Sequence, residues 1–574
     1  MNKMLTCVLA SALTLAACAG EQAELVAPAD LVVTNGRIYT VDAAQPWVEA
    51  VAISDGKYVY VGRSSGVDAY TGSNTEIFDL NGMMAMPGIN DTHAHSWQGG
   101  HKELYECNFP FTATPAEIIA IVKECIESNP DAEWITGGQW TSDFFTVNDI
   151  ESPREWLDAI SEGRAIYFED DATHNAWINS KALEIAGIER DTPDPPGGTY
   201  VRDENGEPNG LVLETAKPIV AAFIPDWTHK ENVASLAKAV ELANAFGLTG
   251  IHEARTPTHV SRAYQQLDRE RRLTAYAITD LQTPRGQREE SLDVAPLVEA
   301  SKRYNSKHVH TRFAKIFLDG VPTASRTAVM LEPYLTSDEY PEATHGHLLV
   351  PQSILTEDLI ELDGAGFTVK MHAAGDGAVR VALDAIEQVR KFNGPSGLRH
   401  EIAHAGYIHP DDVPRFAKLN VTADLSPYLW YPRPIMASII GAVGERAHHY
   451  WPIKDLLESG ANVAIGSDWP SVAESVNPWP AIEAMVTRRN PFTGSKEALW
   501  PEQAIGLNQA LKIFTLDGAL AYRLEETTGS IEVGKSADLI VLNQDLFEIP
   551  IEQLSETTVL KTFFEGKLVY STAK

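Results

Sequence analysis

The chain has 574 residues, 44% of them hydrophobic, with 46 Lys and Arg against 79 Asp and Glu, a formal net charge of −33. Such a length exceeds one ordinary core but fits a large α/β barrel with appendages. The acidity argues against nucleic acid or an anionic membrane surface as partner, and no internal run reaches the roughly 20 apolar residues of a membrane helix.

The N-terminus reads as an export signal over residues 1–17. Lys3 precedes an apolar run, Met4–Ala17, which closes on Leu15-Ala16-Ala17-Cys18. That closing motif resembles the bacterial lipobox, in which cleavage precedes the cysteine and the cysteine carries lipid. Ala19 at the second mature position resembles sorting to the outer membrane of a Gram-negative bacterium. The expected location is therefore lipid-anchored at the periplasmic side or outer membrane, with residues 18–29 as a tether. A plain signal peptide with a chance cysteine is the alternative. Cys107 and Cys125 are the cysteines left; they could pair in an oxidising compartment, but two do not make a disulfide framework. There is no CxxC, hence no thiolate zinc site.

Next come short alternating strands at Leu31–Tyr39, Ala50–Ser54, Lys57–Gly62 and Thr75–Leu80, with hairpin signals at Asn35-Gly36 and Asp55-Gly56. Gly529–Leu542 and Thr557–Tyr570 read the same way. Residues 30–82 and 525–574 are thus expected to form one small β-sandwich from both chain ends. Between them, residues 83–524 alternate apolar strands with helical stretches, which argues a parallel sheet. Eight strands are predicted, at Met84–Ile89, Thr249–His252, Leu273–Ile278, Arg312–Phe317, Thr368–Met371, His400–Ala403, Val421–Ala423 and Val463–Ile465. Eight is the strand number of a (β/α)8 TIM barrel, whose sites gather at the C-terminal strand ends. The long gap after the first strand, residues 99–227, reads as an inserted subdomain. It holds a helix at Pro115–Ile126 capped by Thr114, strands at Trp134–Gln139 and Ala165–Phe168, and a Pro-rich loop at Asp191–Gly198.

The first barrel strand runs into His93-Ala94-His95. Side chains two apart on a strand share a face, so both imidazoles can grip one metal ion. Lys315 lies in strand four; His372, His404 and Asp468 end strands five, six and eight. Each taken singly has a bland reading: a satisfied core histidine, a snorkelling lysine, a turn aspartate. Each also follows an apolar run, where such a group is costly unless paired or metal-bound. Six of them at one end of one sheet are hard to assign to chance.

This set, with MPGINDTHAH and the C-terminal GSIEVGKSADLIVL, resembles the amidohydrolase superfamily of metal-dependent hydrolases over nearly the whole mature chain. HNAWINSKAL (174–183), KIFLDGVPTASRTA (315–328) and HAAGDGAVRVALDAIE (372–387) resemble its YtcJ-like branch, which includes N-substituted formamide deformylases. The resemblance implies two divalent ions, zinc by default with iron or manganese as options. His93, His95 and Asp468 would hold one, His372 and His404 the other, and a carboxylated Lys315 would bridge them. An ion pair between Lys315 and Asp319 is the alternative. The branch carries Ile-Glu-His-Ala on strand six, where this chain has Ile402-Ala403-His404-Ala405; the missing carboxylate is replaced at most in part by Glu401, on the same strand face.

The implied chemistry is hydrolysis of an amide-type C–N bond, as in an N-acyl or N-formyl amine, by metal-activated hydroxide with Asp468 as the proton shuttle. Candidate substrate contacts are His174, His252, Arg326, Trp140 and Trp430, with packing as the competing role, preferred for His252. The expected partner is a small molecule; contact with a membrane is expected only through lipid on Cys18. Rival readings are a mononuclear deaminase, for which Asp376 is the nearest carboxylate after His372, and a non-catalytic binding lipoprotein. No pair of carboxylates suggests a glycosidase.

Overall fold

The computed structural model describes residues 27–572 except 142, 143, 172, 338, 339, 429 and 472. The expected signal over residues 1–17, Cys18 and the tether up to residue 26 lie outside the described residues. No helix among the described residues is long and apolar enough to cross a membrane.

Eight parallel strands follow one another round a single sheet: β1 Ile89–Ala94, β2 Leu248–Thr256, β3 Tyr276–Gln282, β4 Val309–Phe317, β5 Thr368–Ala373, β6 Glu401–His404, β7 Thr422–Leu425 and β8 Asn462–Ile465. Residues on both faces of these strands are buried, as a TIM barrel coated by helices requires. The helix Asp376–Asn393 shows how the coat forms. It buries Ala378, Val379, Ala382, Leu383, Ile386 and Val389, a stripe at helical spacing. The chain just beyond β8 closes onto the end of β1, where Asp468 N donates to His93 O at 2.6 Å and His95 N to Trp469 O at 2.7 Å. Only glycine fits at 466 in this closure, because a Cβ there would fall 2.2 Å from the Cβ of His93.

The first barrel strand starts later than the sequence reading has it. Met84–Pro87 is a strand of another sheet, paired with Arg37–Tyr39 and Leu539–Leu542. After Gly88 the chain enters the barrel as β1. Both strands are buried throughout, so hydrophobicity gives no sign of the change of sheet.

That other sheet has six strands, ordered Lys567–Ser571, Val559–Phe564, Leu539–Leu542, Met84–Pro87, Arg37–Tyr39 and Trp47–Val48, so both chain ends share it. A four-stranded sheet, Lys57–Gly62, Ala50–Ser54, Leu31–Thr34 and Glu76–Asp79, packs against it through Val33, Val51, Ile53, Ala85, Leu539 and Val541. Asp55-Gly56 makes the expected hairpin turn, with φ of 50° and 75°. Asn35-Gly36 does not: Leu31–Thr34 and Arg37–Tyr39 lie in different sheets, and the turn is a corner between them.

Between β1 and β2 a separate six-stranded sheet spans residues 107–214. Its helix, Pro115–Ser128, begins in a capping box between Thr114 and Glu117. A disulfide joins Cys107, on the edge strand, to Cys125 on this helix.

Candidate metal centre

The strand ends bring His93, His95, Lys315, His372, His404 and Asp468 to one place. His93 is fully buried on β1, with Nδ1 2.8 Å from Asp424 Oδ2 on β7. An ionised carboxylate only accepts, so Nδ1 carries the hydrogen and Nε2 keeps its lone pair. That Nε2 faces Lys315 Nζ at 3.2 Å and Asp468 Oδ1 at 3.6 Å. His95 Nε2 lies 3.3 Å from Asp468 Oδ1, and His404 Nδ1 4.0 Å from Asp468 Oδ2. Among the described residues, His93, His404 and Asp468 each bring a ligand atom within 4.8 Å of the others. His372 flanks this triad, its ring centroid 4.5 Å from that of His404; its Nε2 donates to Gly320 O at 3.0 Å, which leaves Nδ1 free as a donor atom. Asp468 and His404 reach inward from left-handed backbone, φ 59° and 67°, a conformation side chains other than glycine rarely adopt and which concentrates at functional sites.

Burial, with the field of Lys315 adding to it, holds His93, His372 and His404 well below the usual imidazole range, and burial also lowers His95. All four rings are therefore neutral at pH 7 and able to act as metal ligands. Lys315 is buried and pushed down to about 8, first by burial and then by Lys370. It makes no ion pair with Asp319. That carboxylate instead accepts from the backbone N–H of Val329, Ala374 and Gly375. Four neutral imidazoles, one carboxylate and one buried lysine form a donor set that suits divalent zinc, iron or manganese.

Beneath this layer the barrel axis is polar. Lys370 on β5 donates to Thr92 O and Asp424 Oδ2, both at 2.6 Å, and lies 2.7 Å from Glu401 Oε2 on β6. His252 on β2 pairs with Asp280 on β3 at 2.9 Å. Glu401 thus serves Lys370, whereas the carboxylate behind His93 is Asp424, which sequence reasoning missed. Lys370 and Asp280 were missed too. The available signal was one charged residue inside each apolar strand: TVKMH, YAITDL and VTADL.

Above the cluster opens a cavity of about 990 Å³, counting the part open to solvent. His95, Lys315, His372, His404 and Asp468 form part of its wall, and so does His174, whose Nδ1 is held by Glu214 at 2.9 Å. The other four substrate-contact candidates are not on that wall. His252 is fully buried in the layer below. Arg326 donates to Leu335 O and stacks on Tyr340, a loop brace. Trp140 is buried in the inserted subdomain against Phe145 and Trp177, its indole N–H on Phe168 O. Trp430 packs on Phe492 and Arg433 outside the cavity. The aromatic wall is instead Phe317, Tyr450 and Trp451, and three cations, Lys217, Arg255 and Arg285, join it.

The profile of the amidohydrolase family matches residues 76–570. Three curated relatives match along almost their full length. Protein LONG AFTER FAR-RED 3 of Arabidopsis thaliana is 30% identical over 94% of this chain and 92% of its own. Putative amidohydrolase YtcJ of Bacillus subtilis is 28% identical, covering 93% and 98%. N-substituted formamide deformylase of Arthrobacter pascens is 26% identical, covering 94% and 98%.

Proposed function

The chain belongs to the amidohydrolase family of metal-dependent C–N hydrolases, and on that premise we propose that it cleaves the amide bond of an N-acyl or N-formyl amine. The observation that carries the reading is the convergence of four neutral imidazoles, Asp468 and Lys315 on the floor of one cavity. The relative named for N-substituted formamides supports the substrate class.

His93, His95 and Asp468 would hold the deeper of two ions, His372 and His404 the other. Lys315 Nζ, as its neutral amine, would add to CO2 and lose a proton, and the resulting carbamate would add anionic oxygen donors to both sets. Zinc is the first choice; iron and manganese fit the same donors. When bound, the ions supply hydroxide near neutral pH and positive charge for the carbonyl oxygen. Asp468 takes the proton of the attacking water and returns it to the leaving amine. Asp424 and Gly320 fix the rings of His93 and His372, and Glu214 orients His174 toward the substrate. The close triad of His93, His404 and Asp468 favours a second reading, a mononuclear hydrolase or deaminase. Against the deaminase, Asp376 accepts from Leu331 N at 2.8 Å, away from the cavity wall.

The reading extends to location, a lipid anchor on Cys18 at the periplasmic side or outer membrane. The Cys107–Cys125 bond supports an oxidising compartment.

The test is hydrolysis of a panel of N-formyl and N-acyl amines by metal-loaded protein, read as amine released, with nucleoside deamination read as ammonia. Amine release that disappears in Asp468→Asn supports the reading. Ammonia release without amide cleavage would transfer it to the deaminase.

A further inference from the structure

Two guanidinium groups line the cavity, and among the described residues neither has an ion pair with a carboxylate. Arg255 lies near the end of β2 and Arg285 just beyond β3, and both line the cavity that the His, Asp and Lys cluster floors. Among the described residues, the carboxylates whose fields reach the two arginines, Glu169, Glu214 and Glu253, are bonded to other groups. Glu169 is taken by Lys217 at 2.6 Å, and Glu214 by His174 at 2.9 Å and Thr327 at 3.0 Å. Glu253 accepts from Trp97 N at 3.2 Å and Tyr264 OH at 3.0 Å. Arg255 Nε is buried without a hydrogen-bond partner. Arg285 lies over the face of Phe317, its guanidinium carbon 4.9 Å from the ring centroid. The two cations also feel each other: burial and then Arg285 push Arg255 down to about 10, against the weaker fields of Glu169 and Glu253. Two like charges sharing a pocket raise its free energy until an anion joins them.

The opposite side of the mouth is apolar. Ile435 and Ile439, on the helix Pro434–Val443 that follows β7, line the cavity with Tyr450 and Trp451. β2 and β3 stand half a barrel from β7, so the metal-ligand cluster lies between the cationic and the apolar walls. The chain's charge of −33 does not make this pocket acidic. Screening confines charge effects to roughly 8 Å in physiological salt, so contact between an anion and these arginines is governed locally.

We propose that Arg255 and Arg285 bind a carboxylate carried by the substrate, so that the enzyme's substrates are anionic amides with an apolar group on the other side of the scissile bond. The proposal rests on the amide-hydrolase reading above. Guanidinium geometry matches a carboxylate in a fork-to-fork pair, which sets specificity as well as affinity.

The test uses two matched pairs, phenylacetylglycine against its methyl ester, with the acid on the amine half, and the monobenzylamide of succinic acid against its methyl ester, with the acid on the acyl half. Metal-loaded wild type is expected to prefer the acid in at least one pair by tenfold or more in kcat/KM, mostly through KM. In Arg255→Gln and Arg285→Gln that ratio should fall toward one. Equal rates for acid and ester in both pairs, or a ratio unmoved by both substitutions, overturns the proposal while leaving the hydrolase reading in place. If no probe is hydrolysed, the hydrolase reading fails and equilibrium dialysis of 3-phenylpropane-1-sulfonate, an anion that coordinates metal poorly, decides the subsite. Binding to wild type that weakens at least tenfold in both variants supports it; absent or unchanged binding overturns it.

Discussion

Two interiors of this chain are built from opposite materials. The sandwich core is aliphatic, with Val33, Val51, Ile53, Leu539 and Val541 all buried. The barrel axis, equally buried, holds His93, His252, Asp280, Lys370, Glu401 and Asp424. An aliphatic core gains free energy from each methylene removed from water. A buried ionic layer gains little net stability, because desolvation offsets attraction. What it supplies is position: burial alone would lower Lys370, but Asp424 and Glu401 override it and keep the ammonium charged, and Asp424 in turn aims His93. The sandwich holds the fold together, and the barrel axis holds the site in register.

Substitutions should separate the two roles. The largest effect is expected at Asp468, where Asp468→Asn would remove the proposed proton shuttle and should lower kcat by about a thousandfold or more, the upper range for general acid–base groups. Lys370→Met should follow, leaving two buried carboxylates uncompensated at a cost of about 3–5 kcal/mol in denaturant unfolding. A loss below about 1 kcal/mol would mean that the polar axis is not the paired network described here. In the other interior, Leu539→Ala should cost about 2–5 kcal/mol while metal content stays at the wild-type value, since it only opens a cavity. A loss of metal from that variant would break the division of labour. Asp424→Ala should weaken metal affinity about 10–100-fold, measured by competition with a chelator, because His93 loses the acceptor that fixes its tautomer.

The smallest effect is expected at the seam between the two regions. Glu565 accepts from Lys307 and lies 3.2 Å from His308, joining the sandwich sheet to the residues that precede β4. The bond from His308, then Lys307, holds the Glu565 carboxyl down to about 2 against an ordinary 4.5. A depressed carboxyl contributes stability above its unfolded value and loses it as pH falls through the folded one. Glu565→Gln should therefore flatten the fall in stability between pH 4.5 and 2, by about 1 kcal/mol or less after solvent screening. An unchanged acid limb in thermal melts would remove this link.

The cluster at the strand ends was legible in the sequence because its members lie in or just after apolar runs, where an imidazole, carboxylate or ammonium is costly without a partner. The barrel was legible for the same reason: eight apolar runs with helical stretches between them. Hydrophobicity could not show where Met84–Pro87 leaves one sheet and Ile89–Ala94 enters another, since both are buried throughout. Nor could it place Asn35-Gly36, because a turn motif fixes a local bend and not the sheet that its second strand joins. Trp140 and Arg326 were misplaced because side-chain type does not say whether a residue points into a cavity or into its own subdomain. Asp424 and Lys370 act through partners far apart in sequence, and Arg255 and Arg285 meet on one cavity, arrangements that only the closed barrel brings together.

The most direct test of the account is metal content per chain by mass spectrometry, on protein expressed from residue 19 onward with bicarbonate present and chelators absent. Two ions per chain in wild type, falling to one or fewer in Lys315→Ala, is the expected result. No metal after reconstitution, or a single ion unaffected by Lys315→Ala, would contradict the bridged centre.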